Sequence, residues 1–255
     1  MTNTLTPVEP DVLRSDGRAG VLILCDHASN RIPRELGDLG LPEEALASHI
    51  AIDIGAAKTA RRLSGMLDAP AVLAAVSRLV VDLNRNPETQ NPIPEASDGV
   101  AIPGNHGLSA EARKARLDAC FHPYHTACEA QLNAMLARGR RPIVIGLHSF
   151  TPVMHGERRP WEIGFLYDRD PRLFEAMRPM LESRWGFTVG DNQPYSGAEL
   201  YYTMKRHGEA HGLRQATIEI RQDLIAEPRG QQRWARILAT CLGEIPETKL
   251  DSRHD

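Results

Sequence analysis

The chain has 255 residues, of which 42% are hydrophobic and 25% are charged, and its formal net charge is −3. These values are typical of one globular domain, so we expect a single domain with loose termini at residues 1–16 and 245–255. The acidic balance argues against nucleic-acid binding, and no apolar run approaches the roughly 20 residues that a membrane-spanning helix needs. With no secretory signal and no CxxC pair, a cytoplasmic location is expected.

Short apolar runs alternate along the chain with longer stretches of helical periodicity. The apolar runs predict strands at 20–25, 71–83 with a possible bend near Ser77, 142–147, 162–167, 187–189 and 216–221. The periodic stretches predict helices at 54–67, 109–138 with a break or kink at Pro123, 171–185, within 193–212, and at 230–242. Residues 84–107 hold four prolines and are predicted to form a long irregular loop. Strands flanked by helices predict an α/β fold of three α/β/α layers around a mostly parallel sheet.

Chemically active side chains follow or interrupt four of the predicted strands. In such sheets, ligands bind in crevices beyond the carboxyl ends of the strands. These positions are Asp26-His27, Asp82-Leu83-Asn84-Arg85, His148-Ser149 and Glu219-Ile220-Arg221. The coincidence of four strand ends predicts a functional cleft at one edge of the sheet.

Two of these positions carry histidines on different strands, which is the pattern of a catalytic zinc site. Such a site takes three protein ligands and leaves a place for water, and we expect His27 and His148 to supply the nitrogens. Asp53 is the preferred third ligand, although it can also be the N-cap of the helix that follows. Asp26 and Asn30 are the alternatives. Each histidine alone is equally compatible with a hydrogen-bonded strand end.

Glu219 is an ionisable residue between two isoleucines of a predicted strand. Burial of a carboxyl group raises its pKa and suits it to act as the general base for a water molecule. The alternative is an ion pair with Arg221 or another arginine. Arg78 interrupts an apolar run and is a candidate to stabilise an oxyanion, or else forms a salt bridge to Asp82 or Glu219.

Asn84 and Arg85 are candidates to bind a substrate carboxylate, because a guanidinium group matches a carboxylate with two parallel hydrogen bonds. Arg221 and Tyr201 are further candidates for substrate binding. The expected ligand is therefore a small molecule that carries a carboxylate.

The sequence around the remaining histidines gives a weaker indication of metal binding or catalysis. His207 and His211 have the spacing of a helical metal pair, but Gly208 and Gly212 argue against a sustained helix there. His125 is expected to face the core or to support the site.

Six segments together resemble the N-formylglutamate amidohydrolase family. They are CDHASNRIP at 25–33, HIAIDIGA at 49–56, SRLVVDLNR at 77–85, FHPYH at 121–125, GLHSF at 146–150 and TIEIRQDL at 217–224. The segment Asp82–Asn86 is also similar to the substrate-carboxylate motif of zinc carboxypeptidases. In those enzymes the first zinc histidine precedes this motif, while the second histidine and the catalytic glutamate follow it. The one departure is Asn30, which stands where their HxxE motif has a carboxylate.

The resemblance implies a zinc-exopeptidase type of α/β/α fold with a mixed sheet, one Zn²⁺ ion, and hydrolysis of N-formyl-L-glutamate in histidine breakdown. We therefore expect a single catalytic domain that cleaves the amide of an N-formyl or N-acyl amino acid by attack of a zinc-bound water. A zinc carboxypeptidase or another N-acyl amino acid deacylase is the alternative within the enzymes. A domain that binds acidic ligands without a metal is the alternative outside them.

Overall fold

The computed structural model describes residues 5–246 and contains eleven strands within that range. They are β1 (Asp11–Leu13), β2 (Val21–Cys25), β3 (Ala71–Leu73), β4 (Ala96–Ser97), β5 (Val100–Ala101), β6 (Ile143–Phe150), β7 (Val153–Met154), β8 (Glu157–Arg158), β9 (Ile163–Leu166), β10 (Val189–Asp191) and β11 (Gln215–Arg221). The α-helices are α1 (Glu43–Leu46), α2 (Ala56–Leu67), α3 (Ala110–Arg116), α4 (His122–Ala137), α5 (Arg172–Trp185), α6 (Tyr202–His207) and α7 (Pro228–Glu244).

Seven strands form the central sheet, in the order β1-β3-β2-β6-β11-β9-β10. The four strands β3, β2, β6 and β11 run parallel to one another, whereas β1 pairs antiparallel with β3 and β9 pairs antiparallel with β11. Strand β10 is parallel to β9. The sheet is therefore mixed and mostly parallel, as predicted.

Alternation of side chains along the strands builds a core on each face of this sheet. In β2, Val21, Ile23 and Cys25 belong to one apolar cluster, and Leu22 and Leu24 belong to the other. Helices α2, α5 and α7 contribute to the first cluster, and α4 and α6 contribute to the second. This arrangement confirms the predicted three α/β/α layers.

The predicted strand at 71–83 is wrong beyond Leu73. Residues 74–83 follow a course of turns, although Val76, Leu79, Val80 and Val81 are all buried. The Ser77 hydroxyl donates to the carbonyl of Ala51 at 2.8 Å. Burial in an irregular segment, and not strand pairing, accounts for the apolar pattern here.

The predicted division into two helices at Pro123 is wrong, because a π-helical turn, Leu117–Phe121, joins α3 to α4 without interrupting the helical path. Pro123 is the second residue of α4. A proline cannot donate the N–H that an interior helical residue supplies, and the π-helical turn lies directly before α4.

The N-terminal segment is packed, so the expected loose terminus is wrong for residues 5–13. Leu5 and Val8 are buried, and β1 pairs with β3. Ile245 is also buried. The rest of the expected C-terminal tail, from residue 247 onward, and residues 1–4 lie outside the described range.

The parallel strands β2, β3, β6 and β11 all direct their carboxyl ends to the same edge of the sheet. This edge gathers the residues that the sequence indicated. Within residues 5–246, none of the helices has both the length and the apolar character needed to cross a bilayer.

Candidate active site

His27, Asp53 and His148 form the centre of the site, and one potential ligand atom of each lies within 4.8 Å of the others. The three side chains come from the end of β2, the segment before α2, and the interior of β6. Nδ1 of His27 lies 3.5 Å from Asp53 Oδ1, and Nδ1 of His148 lies 2.9 Å from Asp53 Oδ2. All three residues are buried.

Backbone contacts fix Asp53 between the two imidazoles. Its own amide donates to the carbonyl of His27 at 3.1 Å, and the amide of Ser149 donates to its carboxylate at 3.2 Å. The N-cap of α2 is Gly55, and not Asp53 as the sequence pattern allowed. Gly55 has a φ of 82°, and a Cβ atom there would collide with the Ile225 carbonyl. The glycine therefore permits the close turn that leaves the Asp53 carboxylate free to face the histidines.

The outer nitrogen of each imidazole contacts a second carboxylate. Nε2 of His27 lies 2.8 Å from Asp82 Oδ1, and Nε2 of His148 lies 3.2 Å from Asp26 Oδ2. Histidines that bind a metal commonly donate their other N–H to a carboxylate, which orients the ring and raises its basicity. Asp26 thus lies behind His148, and the other alternative ligand, Asn30, donates to the Leu46 carbonyl away from the site.

The donor set fits a divalent metal on two further observations. Nδ1 of His27 is buried and has no hydrogen-bond partner within residues 5–246, as expected for a nitrogen reserved for a ligand. Burial alone would lower the pKa of His148, yet hydrogen bonds to Asp26 and Asp53 hold that pKa well above its usual value. The surrounding carboxylates therefore favour positive charge at this point. Two nitrogens and one carboxylate oxygen are also the ligand types that zinc prefers.

Glu219 lies beside the centre on the neighbouring strand, because β11 pairs with β6 in a register that sets Glu219 opposite His148. Burial raises the pKa of Glu219 to about 7, against the lowering effect of His148. Its Oε2 atom is buried and unpartnered within the described part of the chain. Arg221 makes no contact with it, so the predicted alternative of a Glu219–Arg221 ion pair is not what the structure shows.

Arg78 connects the carboxylates of the site. One guanidinium nitrogen lies 2.9 Å from Asp82 Oδ2 and the other lies 3.5 Å from Asp53 Oδ1. Burial would lower the pKa of Arg78, but Asp82 and Asp53 raise it above its ordinary value. The salt bridge to Asp82 that the sequence allowed is thus present, and Arg78 also lines the cavity.

Asn84 and Arg85 lie at the cavity wall as predicted. Asn84 is mostly buried, with its side-chain oxygen accepting from the amide of Thr203 at 2.9 Å. The Arg85 side chain is 37% exposed, and its Nε lies 3.4 Å from Asp82 Oδ2. The two terminal guanidinium nitrogens have no hydrogen bond within residues 5–246 and remain available for a ligand.

Two residues predicted to bind substrate, Arg221 and Tyr201, are not among the residues that line the cavity. Arg221 forms a salt bridge with Asp223 at 2.9 Å, and its guanidinium group also donates to the backbone carbonyls of Arg159 and Trp161. The guanidinium group is therefore already paired with neighbouring residues. Tyr201 is buried and its hydroxyl donates to the side chain of Gln215. Tyr195 lines the cavity instead, and its hydroxyl accepts from Arg159 at 3.2 Å.

All of the cleft residues surround one cavity of about 220 Å³. Besides the residues described above, it is lined by His49, Ile50, Ser97, Asp98, Ser149, Phe150, Thr151, Met154, Leu166 and Leu200. His49 Nε2 lies 3.1 Å from Asp98 Oδ2, which connects the β4–β5 hairpin to the segment before α2. Sequence reasoning missed Tyr195, His49 and Asp98 because they lie in irregular segments or short hairpins without periodicity. A buried carboxylate, a possible metal and a half-exposed guanidinium in a cavity of this size suit a small anionic ligand.

Comparison with known proteins identifies the family of the chain. The profile of the N-formylglutamate amidohydrolase family matches residues 19–226, which include every residue placed in the cleft. No curated protein matches the chain significantly. The structure of gene product Atu2144 from Agrobacterium tumefaciens is similar, with 39% identity, a TM-score of 0.89, and coverage of 92% of this chain and 94% of that one.

The crystal structure of N-formylglutamate amidohydrolase from Ralstonia eutropha JMP134 has the same fold. Its TM-score is 0.64 at 19% identity, over 92% of this chain and 96% of that one. At this identity the likeness supports the fold, and the family assignment rests on the matched profile. The chain therefore belongs to the N-formylglutamate amidohydrolase family.

Proposed function

We propose that this protein is a metal-dependent amidohydrolase that cleaves the amide of an N-formyl or N-acyl amino acid, with N-formyl-L-glutamate as the representative substrate. The observation that carries the proposal is the buried His27–Asp53–His148 group with Glu219 on the adjacent strand. Family membership supports amide hydrolysis. Zinc is the proposed metal, because the ligands are two imidazoles and one carboxylate.

His27, Asp53 and His148 would hold the metal, while Asp82 and Asp26 keep the two imidazoles oriented. When bound, a divalent cation supplies Lewis-acid polarisation and lowers the pKa of water to about 7. Glu219 accepts the proton of the attacking water through Oε2. The same carboxyl group then donates a proton to the departing amine, which completes general base and general acid steps at one residue. A pKa of about 7 allows Glu219 to exchange the proton in both directions near neutral pH.

Arg85 and Asn84 would bind the carboxylate next to the scissile amide. Holding that carboxylate fixes the acyl group relative to Glu219, and such positioning converts a bimolecular encounter into an internal step. Arg78 is neutralised by Asp82 and Asp53 on one side, and its position at the cavity wall suits it to stabilise negative charge on the acyl oxygen.

Two finer parts of the proposal concern location and pathway. All four cysteines are unpaired and buried, which supports a cytoplasmic location because reducing compartments keep thiols free. The place in histidine breakdown follows from the family resemblance alone.

The test is formate release from N-formyl-L-glutamate by the zinc-loaded protein, with glutamate measured as the second product. Release of a C-terminal residue from a peptide, without formate release, would favour a zinc carboxypeptidase. Tight binding of N-formyl-L-glutamate without metal and without turnover would favour a binding domain.

A further inference from the structure

Two buried histidines behind the cleft have no role in the proposed reaction. His125, in the FHPYH segment of α4, and His207, the last residue of α6, are both almost inaccessible to solvent. Their ring centroids lie 5.2 Å apart and the ring planes are within 16° of parallel. Nδ1 of His125 lies 2.9 Å from Nε2 of His207. His207 thus pairs with His125, and α6 ends at His207, so residues 207–212 form no sustained helix that would pair it with His211, as Gly208 and Gly212 indicated.

Only one assignment of donors and acceptors fits the hydrogen bonds of His125 and His207. Nε2 of His125 lies 2.9 Å from the carbonyl oxygen of Leu83, which can only accept, so this nitrogen carries the proton. In a neutral ring Nδ1 of His125 is then an acceptor, and Nε2 of His207 must donate to it. Burial keeps both rings neutral, since it lowers the pKa of His125 to about 4 and that of His207 to about 3.

Leu83 lies within a four-residue segment that serves both halves of the cleft. Asp82 orients His27 on one side of Leu83, and Asn84 and Arg85 line the cavity on the other. The segment belongs to no helix or strand, so a ladder of backbone hydrogen bonds cannot fix its position. The Leu83 carbonyl is contacted by side-chain groups, His125 and Thr203, and such a contact matters because a buried unpaired carbonyl is costly.

Helices α4 and α6 both contact the segment, and α4 supplies the donor to Leu83. His125 from α4 donates to the Leu83 carbonyl, and the Thr203 hydroxyl from α6 lies 3.5 Å from the same oxygen. The Thr203 amide donates to the side chain of Asn84, and its hydroxyl donates to Asp26 at 3.0 Å. The segment and the second helix layer are therefore linked through Leu83.

We propose that His125 and His207 are positioning residues that hold the Leu83 carbonyl and thereby set Asn84 and Arg85 for the substrate carboxylate. The proposal rests on the proposed function, in which those two residues bind that carboxylate. A pair that only filled the core would contribute to stability without affecting recognition of the carboxylate.

The test is His125→Phe in the zinc-loaded protein, which preserves an aromatic ring between Phe121 and Tyr202 and removes both nitrogens. The KM for N-formyl-L-glutamate is expected to rise about tenfold, the order of effect for a buried carbonyl left unpaired. The KM for the analogue with an α-carboxamide is expected to change less than twofold, and kcat is expected to change little for either. His125→Gln places an amide donor near the Nε2 position and should recover most of the loss.

Leu132→Ala is the matched control, since Leu132 is a buried residue of the same helix α4 and makes no hydrogen bond to the segment. It should lower the melting temperature and leave both KM values unchanged. Equal changes of KM for the two substrates in His125→Phe, or no change in a folded variant, would overturn the proposal. If Arg85→Ala also fails to distinguish the two substrates, the proposed carboxylate clamp fails as well.

A measurement on the unmodified protein keeps the proposal testable if His125→Phe does not fold. Nitrogen-15 NMR of the imidazoles should show both His125 and His207 as neutral Nε2–H tautomers at pH 7. A proton on Nδ1 of His125 would contradict the direction of the hydrogen bonds and overturn the proposal.

Discussion

Asp82 Oδ1 lies 2.8 Å from Nε2 of His27, so a carboxylate outside the ligand group orients one of its imidazoles. The other oxygen of Asp82 contacts Arg78 and Arg85. Asp82 therefore contacts both His27, a proposed metal ligand, and Arg85, a proposed substrate-binding residue.

Asp82→Asn is expected to weaken zinc binding by about 10- to 100-fold, because the loss of charge lowers the basicity of His27. Competition with a chromophoric chelator measures the affinity. Asp98→Asn is the matched control, since Asp98 lines the same cavity but contacts His49 and not the ligand group. Equal zinc affinity in Asp82→Asn and the unmodified protein would remove Asp82 from its supporting role.

Glu219→Gln is expected to retain zinc and to lower kcat by roughly 10²- to 10⁴-fold, the usual contribution of a general base. The amide keeps the shape of the side chain but cannot accept the proton of water. Metal content and formate release measured on the same sample separate the two effects. Glu175→Gln, a substitution at an exposed position of α5, is the control. It should match the unmodified protein in metal content and in formate release. A Glu219→Gln enzyme with normal kcat would show that another group is the base.

Arg85→Ala is expected to raise the KM for N-formyl-L-glutamate by about 10- to 100-fold, since hydrogen bonds to charged groups contribute about 1.5–3 kcal/mol. The α-carboxamide analogue should lose far less, because it brings no charge to the guanidinium. Arg169→Ala is a control, since the Arg169 side chain is 81% exposed and lies outside the cavity lining. The same loss for both substrates would indicate a structural role for Arg85.

The contribution of His207 to the stability of the fold is expected to fall as the pH decreases from about 6.5 towards 3, whereas the raised pKa of Glu219 acts in the opposite direction between about 7 and its ordinary value. Burial lowers the pKa of His207 to about 3, below the value of about 6.5 that an unfolded chain gives it. The unfolded state then binds the proton more readily, and each such group costs up to about 1.4 kcal/mol per pH unit within this window.

Urea unfolding at pH 7.5 and pH 5 checks this expectation. His207→Phe removes the group. The loss of unfolding free energy on going from pH 7.5 to pH 5 should therefore be smaller in this variant than in the unmodified protein. A difference of the same size would mean that His207 does not contribute to the acid sensitivity.

The sequence predicted the positions of His27, His148 and Glu219 because each follows or interrupts an apolar strand. His27, His148 and Glu219 lie at one edge of a parallel sheet, and that edge is set by the hydrophobic pattern. Arg221 and Tyr201 could not be placed in the same way. Their side chains are committed to a local carboxylate and to Gln215, and those contacts depend on turns without a periodic signal.

The irregular segments set the other limit on prediction. Residues 74–83 were as apolar as a strand, yet their backbone turns and presents Arg78 and Asp82 to the cleft. The position of Leu83 depends on His125, which is 42 residues away in the chain. Long-range contacts of this kind leave no pattern in the sequence around either residue.

The most direct test is metal content and formate release measured together on chelator-treated and zinc-restored protein. The account predicts close to one zinc per chain, negligible formate release from N-formyl-L-glutamate after chelation, and recovery on adding zinc. It also predicts that His27→Ala with His148→Ala abolishes zinc binding. Undiminished formate release by the metal-depleted protein, or normal zinc binding by the double variant, would contradict it.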